Sequence, residues 1–225
     1  MKKKNKLFKS LFDKNKKYSI NKAIKILLNI TKNIYNKCIN SIDISINIKK
    51  KKKILIRESL MLPYFNGKKY NILILTNNLL DIKKNNRKKI VKYIGGEKYI
   101  KKIKNKWLNF NMLITTPLFM NKISNLGKIL GSKNLMPNPI LGNITEDPLK
   151  AAQNILKGKI EIKMDKFYII NCSVGRSNFS KDKIKKNIIY LINFILNLRI
   201  ISNNKTYIKN IFLSSTYSPS IKIKW

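Results

Sequence analysis

The chain has no histidine and, among its 225 residues, two cysteines, Cys38 and Cys172. Without histidine it lacks the commonest general base and metal ligand at neutral pH. Two cysteines alone complete no four-ligand metal site, so no metal is expected. Their scarcity fits a reducing compartment, with both read as small core residues rather than reactive thiols. No stretch approaches 18 consecutive apolar residues, so neither a transmembrane helix nor a membrane partner is expected. Acids are scarce too: ten Asp+Glu stand against 49 Lys+Arg, a formal charge of +39. Such an excess calls for a polyanionic partner, and nucleic acid is the first candidate. Only four of the basic residues are Arg (Arg57, Arg87, Arg176, Arg199), although Arg is the better bidentate phosphate ligand. Lys, Asn and Ile dominate the composition, and their codons are rich in A and T. The charge therefore supports RNA binding without locating it.

What is present alternates between strand and helix patterns. Ser19 stands before a helix predicted from about Ile20 to Lys37, with Ile24, Leu27, Leu28, Ile30 and Ile34 on one face. Ile42, Ile44, Ile46 and Ile48 alternate with polar residues, the period of a half-buried strand. The run Lys49 to Lys53 reads as a basic turn before a second strand, Ile54 to Leu62. Asn71-Ile72-Leu73-Ile74-Leu75 and Met112 to Thr116 read as strands buried on both faces, hence parallel. Between them the pattern predicts a helix to about Tyr93, a turn at Ile94-Gly95-Gly96 and a helix to Lys106. Asp147-Pro148 opens a helix that ends near Lys157-Gly158. Strands follow at 160–164 and 168–174, then a helix capped by Ser180 and a strand from Ile208 to Ser215. This order predicts a mixed α/β chain.

The most distinctive stretch is Leu126 to Pro148, which holds three of the eight glycines and three of the six prolines. Punctuated this way it is read as neither helix nor strand but as a long ordered loop, since its apolar residues are too many for a linker. Leu126, Gly127, Leu130, Gly131, Leu135, Met136, Pro137, Asn138, Pro139 and Gly142 match the pattern LGxxLGPRGLMPNPKxGT. The chain thereby resembles the large-subunit ribosomal protein family called L-one. Departures are Ser132, Lys133, Asn134, Ile140 and Asn143; Asn134 replaces glycine at little cost, because Asn tolerates left-handed backbone. GKILGSK (127–133) is not a P-loop: three residues separate its glycines instead of four, and serine precedes lysine. Further resemblance lies at Ile94, Gly95, Gly96, Glu97, Trp107, Asn109, Phe110 and Pro117, and at Lys159, Glu161, Asp165, Lys166, Ile169, Ile170 and Gly175. The closing segment 213–220 resembles the family's SxTTMGPG.

The resemblance implies a two-domain chain. Residues 1–65 and 159–225 would form a discontinuous two-layer α/β terminal domain that binds RNA, and residues 66–158 an inserted Rossmann-like three-layer α/β domain. Within the first, the family grips ribosomal RNA near Lys37, Cys38, Ser41 and Asp43 and at Thr216, Tyr217 and Ser218. Lys163, Lys166 and Arg176, with the run Lys49 to Lys53, are candidate phosphate contacts. Cys38 stands where the family has an aromatic ring, and Tyr217-Ser218 replaces Met-Gly. The implied function is non-enzymatic: anchoring to stalk rRNA of the large subunit, assisting release of deacylated tRNA from the exit site, and possible repression of its own mRNA. The implied state outside the ribosome is a monomer. Because the resemblance begins by Tyr18, no presequence is expected, which suits the cytoplasm of an AT-rich bacterium or the interior of an organelle. The alternatives are a nucleotide-binding enzyme on the inserted sheet and a generic basic RNA chaperone.

Overall fold

A computed structural model describes residues 12–13, 16–34, 39–49, 56–65, 67, 70–77, 91–198 and 207–225. Lys37, Cys38, the run from residue 50 to 53, the start of the second strand and most of the helix expected before Tyr93 lie outside the described residues.

In chain order, helix α1 (Ile20–Ile34) buries Ala23, Ile24, Leu27, Leu28 and Ile30, one side of a 3.6-residue period. Strand β1 (Ser41–Ile48) alternates buried isoleucines with half-exposed Ser41, Asp43, Ser45 and Asn47. β2 is Arg57–Met61, and β3, Ile72–Leu75, is buried at every position. Next come β4 (Tyr93–Gly95), α2 (Glu97–Lys104), β5 (Met112–Thr115), α3 (Pro117–Ser124) and α4 (Gly127–Ser132). A 3-10 turn at Pro139–Leu141 leads to α5 (Pro148–Lys157), which ends at Gly158 in a left-handed conformation, φ 115°. β6 (Lys159–Lys163), β7 (Ile169–Arg176), α6 (Lys181–Asn197), β8 (Ile208–Ser215) and β9 (Ile221–Ile223) complete the chain.

These elements group into two compact units, Met1–Gly67 with Ile160–Trp225, and Lys68–Lys159. In the first, an antiparallel sheet runs in the order β7-β1-β8-β9, and β2 pairs with β6 in a separate ribbon. Its core joins the α1 face to Ile42, Ile44 and Ile46 of β1, Ile211 and Leu213 of β8, and Ile184, Ile188, Leu191, Ile192 and Ile195 of α6. In the second, the parallel order β4-β3-β5 shows the chain stepping to one side of β3 and then to the other. Leu73 and Leu75 face Ile103, Phe119, Ile123, Leu126 and Leu130, while Ile72 and Ile74 face Ala152 and Ile155. Apolar side chains thus cover the sheet on both faces, as a parallel sheet requires.

Several expectations need correcting. Tyr93–Gly95 is a strand beside β3, not a turn. Its glycine answers a packing need: a Cβ on Gly95 would run into the Tyr99 ring. Pro117 ends β5 but also opens α3 at N1, where its missing N–H costs nothing. The stretch 126–148 is ordered but is not loop throughout. Leu126 and Leu130, four apart, are buried and draw residues 127–132 into a short helix before Pro137 can interrupt it. Ser180 and Asp147 occupy N-cap positions without a side-chain capping bond.

Candidate nucleic-acid interface

The polar positions of β1 share one face of the four-stranded sheet, opposite the isoleucines that enter the core. Ser41 and Asp43 meet there because i and i+2 of a strand point the same way. The Ser41 hydroxyl donates to Asp43 Oδ2 at 2.9 Å and lies 3.1 Å from Thr216 Oγ1. Thr216 comes from the turn after β8, and antiparallel pairing of Ile42 with Ser215 delivers it. Residues 175 positions apart thereby form one hydrogen-bonded cluster.

Ser218 holds that turn: its hydroxyl accepts from the Ser215 N–H at 2.8 Å, and its own N–H donates to the Ser215 carbonyl at 3.0 Å. Tyr217, at the tip, is 58% exposed, which leaves its ring accessible to solvent. Arg176, at the end of β7, pairs with Ser41, and its Cδ would lie 3.0 Å from a Cβ on Gly67. Before β1, Asn40 is clamped by the Ser177 N–H donating to its carbonyl and by its own N–H donating to Ser177 Oγ. Asn40 Nδ2 and Ser215 Oγ are buried beside the cluster without a hydrogen-bond partner, and buried polar atoms of this kind call for an explanation. Lys163 and Lys166 stand elsewhere, at the end of β6 and in the turn before β7. The length of β7 separates them from Arg176, about 23 Å at strand rise.

Asn187 was not legible as a site residue. It is fully buried in the middle of α6. A bulge in β7 leaves Val174 without a β1 partner between Ser173 and Gly175, and Asn187 Nδ2 donates to that carbonyl at 2.8 Å. The same amide donates to the Tyr64 carbonyl and accepts from the Tyr64 N–H. The bulge lies directly beside Asp43, so a core amide sets the register of a surface carboxylate. Cys172, one strand over, is partly buried against the core. Burial, reinforced by the negative charge of Asp43, pushes its thiol up to about 12.

The signature residues lie in the other unit. Leu126 and Leu130 are buried, with Leu135 and Met136 packed against them. Pro137 is buried, and Pro139 opens the 3-10 turn. Asn138 Oδ1 accepts from the Ile140 N–H, and Gly142 closes the turn at φ 69°. Asn134 takes a left-handed conformation, φ 55°, as its substitution for glycine led one to expect. Beyond Gly142, the Thr115 N–H donates to the Asn143 carbonyl and the Thr145 N–H to the Thr115 carbonyl, so Ile144 extends the edge of β5. Gly127 and Gly131 have nothing within 4 Å of an added Cβ. Among the described residues no three His, Cys, Asp or Glu side chains gather as a metal site, and no helix is long and apolar enough to cross a membrane.

The sequence profile of the Ribosomal protein L1p/L10e family matches residues 7–219. The chain belongs to that family. The large ribosomal subunit protein uL1 of Phocaeicola vulgatus is 36% identical over 211 residues, covering 92% of this chain and 89% of that one. That of Porphyromonas gingivalis is 36% identical over 222 residues, 98% and 94% of the two chains. The Mycoplasma genitalium protein of the same name is 36% identical over 217 residues, 95% and 93%. The fold agrees with the expected mixed α/β class of the L1p/L10e family. The relatives are bacterial and are named as ribosomal proteins, not as enzymes.

Proposed function

We propose that this L1p/L10e-family chain is a structural constituent of the large ribosomal subunit that binds stalk rRNA through its discontinuous α/β unit. The observation that carries the reading is the Ser41–Asp43–Thr216 cluster on a sheet face of a +39 chain. Hydroxyls donate to phosphate or ribose 2′-OH, and a carboxylate accepts from 2′-OH or a base edge, contacts suited to folded RNA. Residues 1–65 with 159–225 act as the anchoring domain. The inserted domain, 66–158, faces exit-site tRNA and assists its release. A transcript that mimics the rRNA site would occupy the same cluster, which is the physical basis for repression of the protein's own mRNA.

The test is filter binding to a stalk rRNA fragment and to an unrelated hairpin across a salt series. Affinity should fall with log salt by roughly 0.7 to 0.9 per phosphate neutralised, while preference for the stalk persists. Asp43→Ala and Thr216→Val should each weaken stalk binding by about 1–3 kcal/mol, with little change in melting. Equal affinity for both RNAs would leave a generic basic chaperone as the better reading.

A further inference from the structure

The cluster at Ser41 occupies only one end of the polar sheet face. Two residues beyond Asp43 on β1, Ser45 pairs with Asn171 of β7 on one side and Phe212 of β8 on the other, and Phe212 pairs with Lys222 of β9. These four residues form a row across all four strands. At strand rise the row lies about 7 Å from Asp43 and its partner Ser214. Phe212 is half-buried and, among the described residues, is not part of the apolar core, which lies on the opposite face with Ile211 and Leu213. Its paired neighbours across the sheet are Ser45 on β1 and Lys222 on β9. The Lys222 ammonium sits 6.0 Å from the ring centroid, the position of a cation attracted to an aromatic face. The Ser45 hydroxyl donates to Asn171 Oδ1 at 2.7 Å. The bond leaves Asn171 its amide donors and Ser45 its lone pairs, a donor and an acceptor side by side as on the edge of a base.

An antiparallel sheet with helices on one face and an aromatic ring on the other is a platform on which unpaired bases stack. We propose that this row is a second RNA-binding subsite: an unpaired nucleotide adjoining the RNA held at Ser41–Thr216 stacks its base on Phe212, sets its edge against Ser45 and Asn171, and lays its phosphate by Lys222. The inference rests on the rRNA-binding reading and extends that interface along the sheet.

The experiment uses the full chain and two probes, the stalk rRNA stem alone and the same stem with an unpaired tail carrying 2-aminopurine. The native protein should quench the 2-aminopurine on binding and prefer the tailed RNA. Phe212→Leu, an apolar change at a half-buried position outside the core, should keep the melting temperature, abolish the quenching and lower affinity for the tailed RNA by about 5- to 150-fold. Its affinity for the stem alone should be unchanged, and Phe212→Tyr should restore quenching. Loss of affinity for both RNAs in parallel, or unaltered quenching with Phe212→Leu, would overturn the subsite. A native protein that binds the stem no better than an unrelated hairpin refutes the rRNA reading instead. A single-stranded 2-aminopurine oligonucleotide whose quenching depends on Phe212 would still support the stacking platform.

Discussion

Asn187 gives the sharpest test of how the core supports the interface. Its side chain makes three hydrogen bonds: to the Val174 carbonyl at 2.8 Å, to the Tyr64 carbonyl at 2.9 Å, and from the Tyr64 N–H at 3.0 Å. Replacement by Leu keeps the heavy-atom count and branching of the side chain, in bulkier methyl groups, and breaks all three. The Val174 carbonyl, left unpaired in a buried site, costs about 1–3 kcal/mol. Each Tyr64 bond is partly exposed, so water replaces it and only its net worth of about 0.5–1.5 kcal/mol is lost. Added apolar burial offsets about 1 kcal/mol, leaving a destabilisation of about 1–5 kcal/mol. Urea unfolding followed by circular dichroism should show a lower midpoint at unchanged slope, and melting should fall by roughly 2–20 °C. The Asp variant should be at least as unstable at neutral pH, because an ionised carboxylate facing two carbonyl oxygens has no donor to offer. It should recover in part as pH falls and the carboxyl regains a proton to donate. A Leu variant within about 1 kcal/mol of the native protein would refute the claim that this amide fixes the bulge.

Further predictions bear on other parts of the chain. With Cys38→Ser as background, Cys172 should react with iodoacetamide far more slowly in the folded protein at pH 8 than in urea, because the folded thiol titrates only near 12. The folded state then keeps a proton that the unfolded state releases above about 9, so stability should fall as pH rises from about 9 towards 12, by less than about 1.4 kcal/mol per unit. Cys172→Ala should flatten that slope. Gly142→Ala should destabilise by about 1–2 kcal/mol, since φ is 69° and the new Cβ would approach Lys159 Nζ at 2.9 Å. Gly131→Ala, in helical backbone with open space around it, should be neutral or stabilise by up to about 1 kcal/mol in a thermal melt. Replacing residues 66–158 by a Gly/Ser linker should leave a folded protein that still binds stalk rRNA, because Ser41, Asp43 and Thr216 all lie outside the excised segment. Retained folding with lost affinity would place rRNA contacts on the signature segment.

Local pattern alone sufficed for much of this molecule. The alternation of Ile42 to Ile48, the apolar runs of β3 and β5 and the amphipathic period of α1 are consequences of burying one face or two, so they are written in residue order. The ten-position signature named a family for the same reason: contiguous residues carry it. What could not be read was whatever depends on partners distant in the chain. β4 is three residues long, too short for any period, and exists because Leu73 and Ile74 offer their hydrogen bonds. α4 forms between two glycines because buried Leu126 and Leu130 outweigh low helix propensity. Antiparallel pairing and a single turn brought Thr216 to Ser41. Phe212 looked like one more strand residue until the register set it in a row with Ser45, Asn171 and Lys222 on the polar face. In sequence Asn187 is one more polar residue of the helix expected after Ser180. Only folding places it under the bulge of β7, where a carboxamide supplies the two donors and one acceptor that the Val174 carbonyl and the Tyr64 backbone take up.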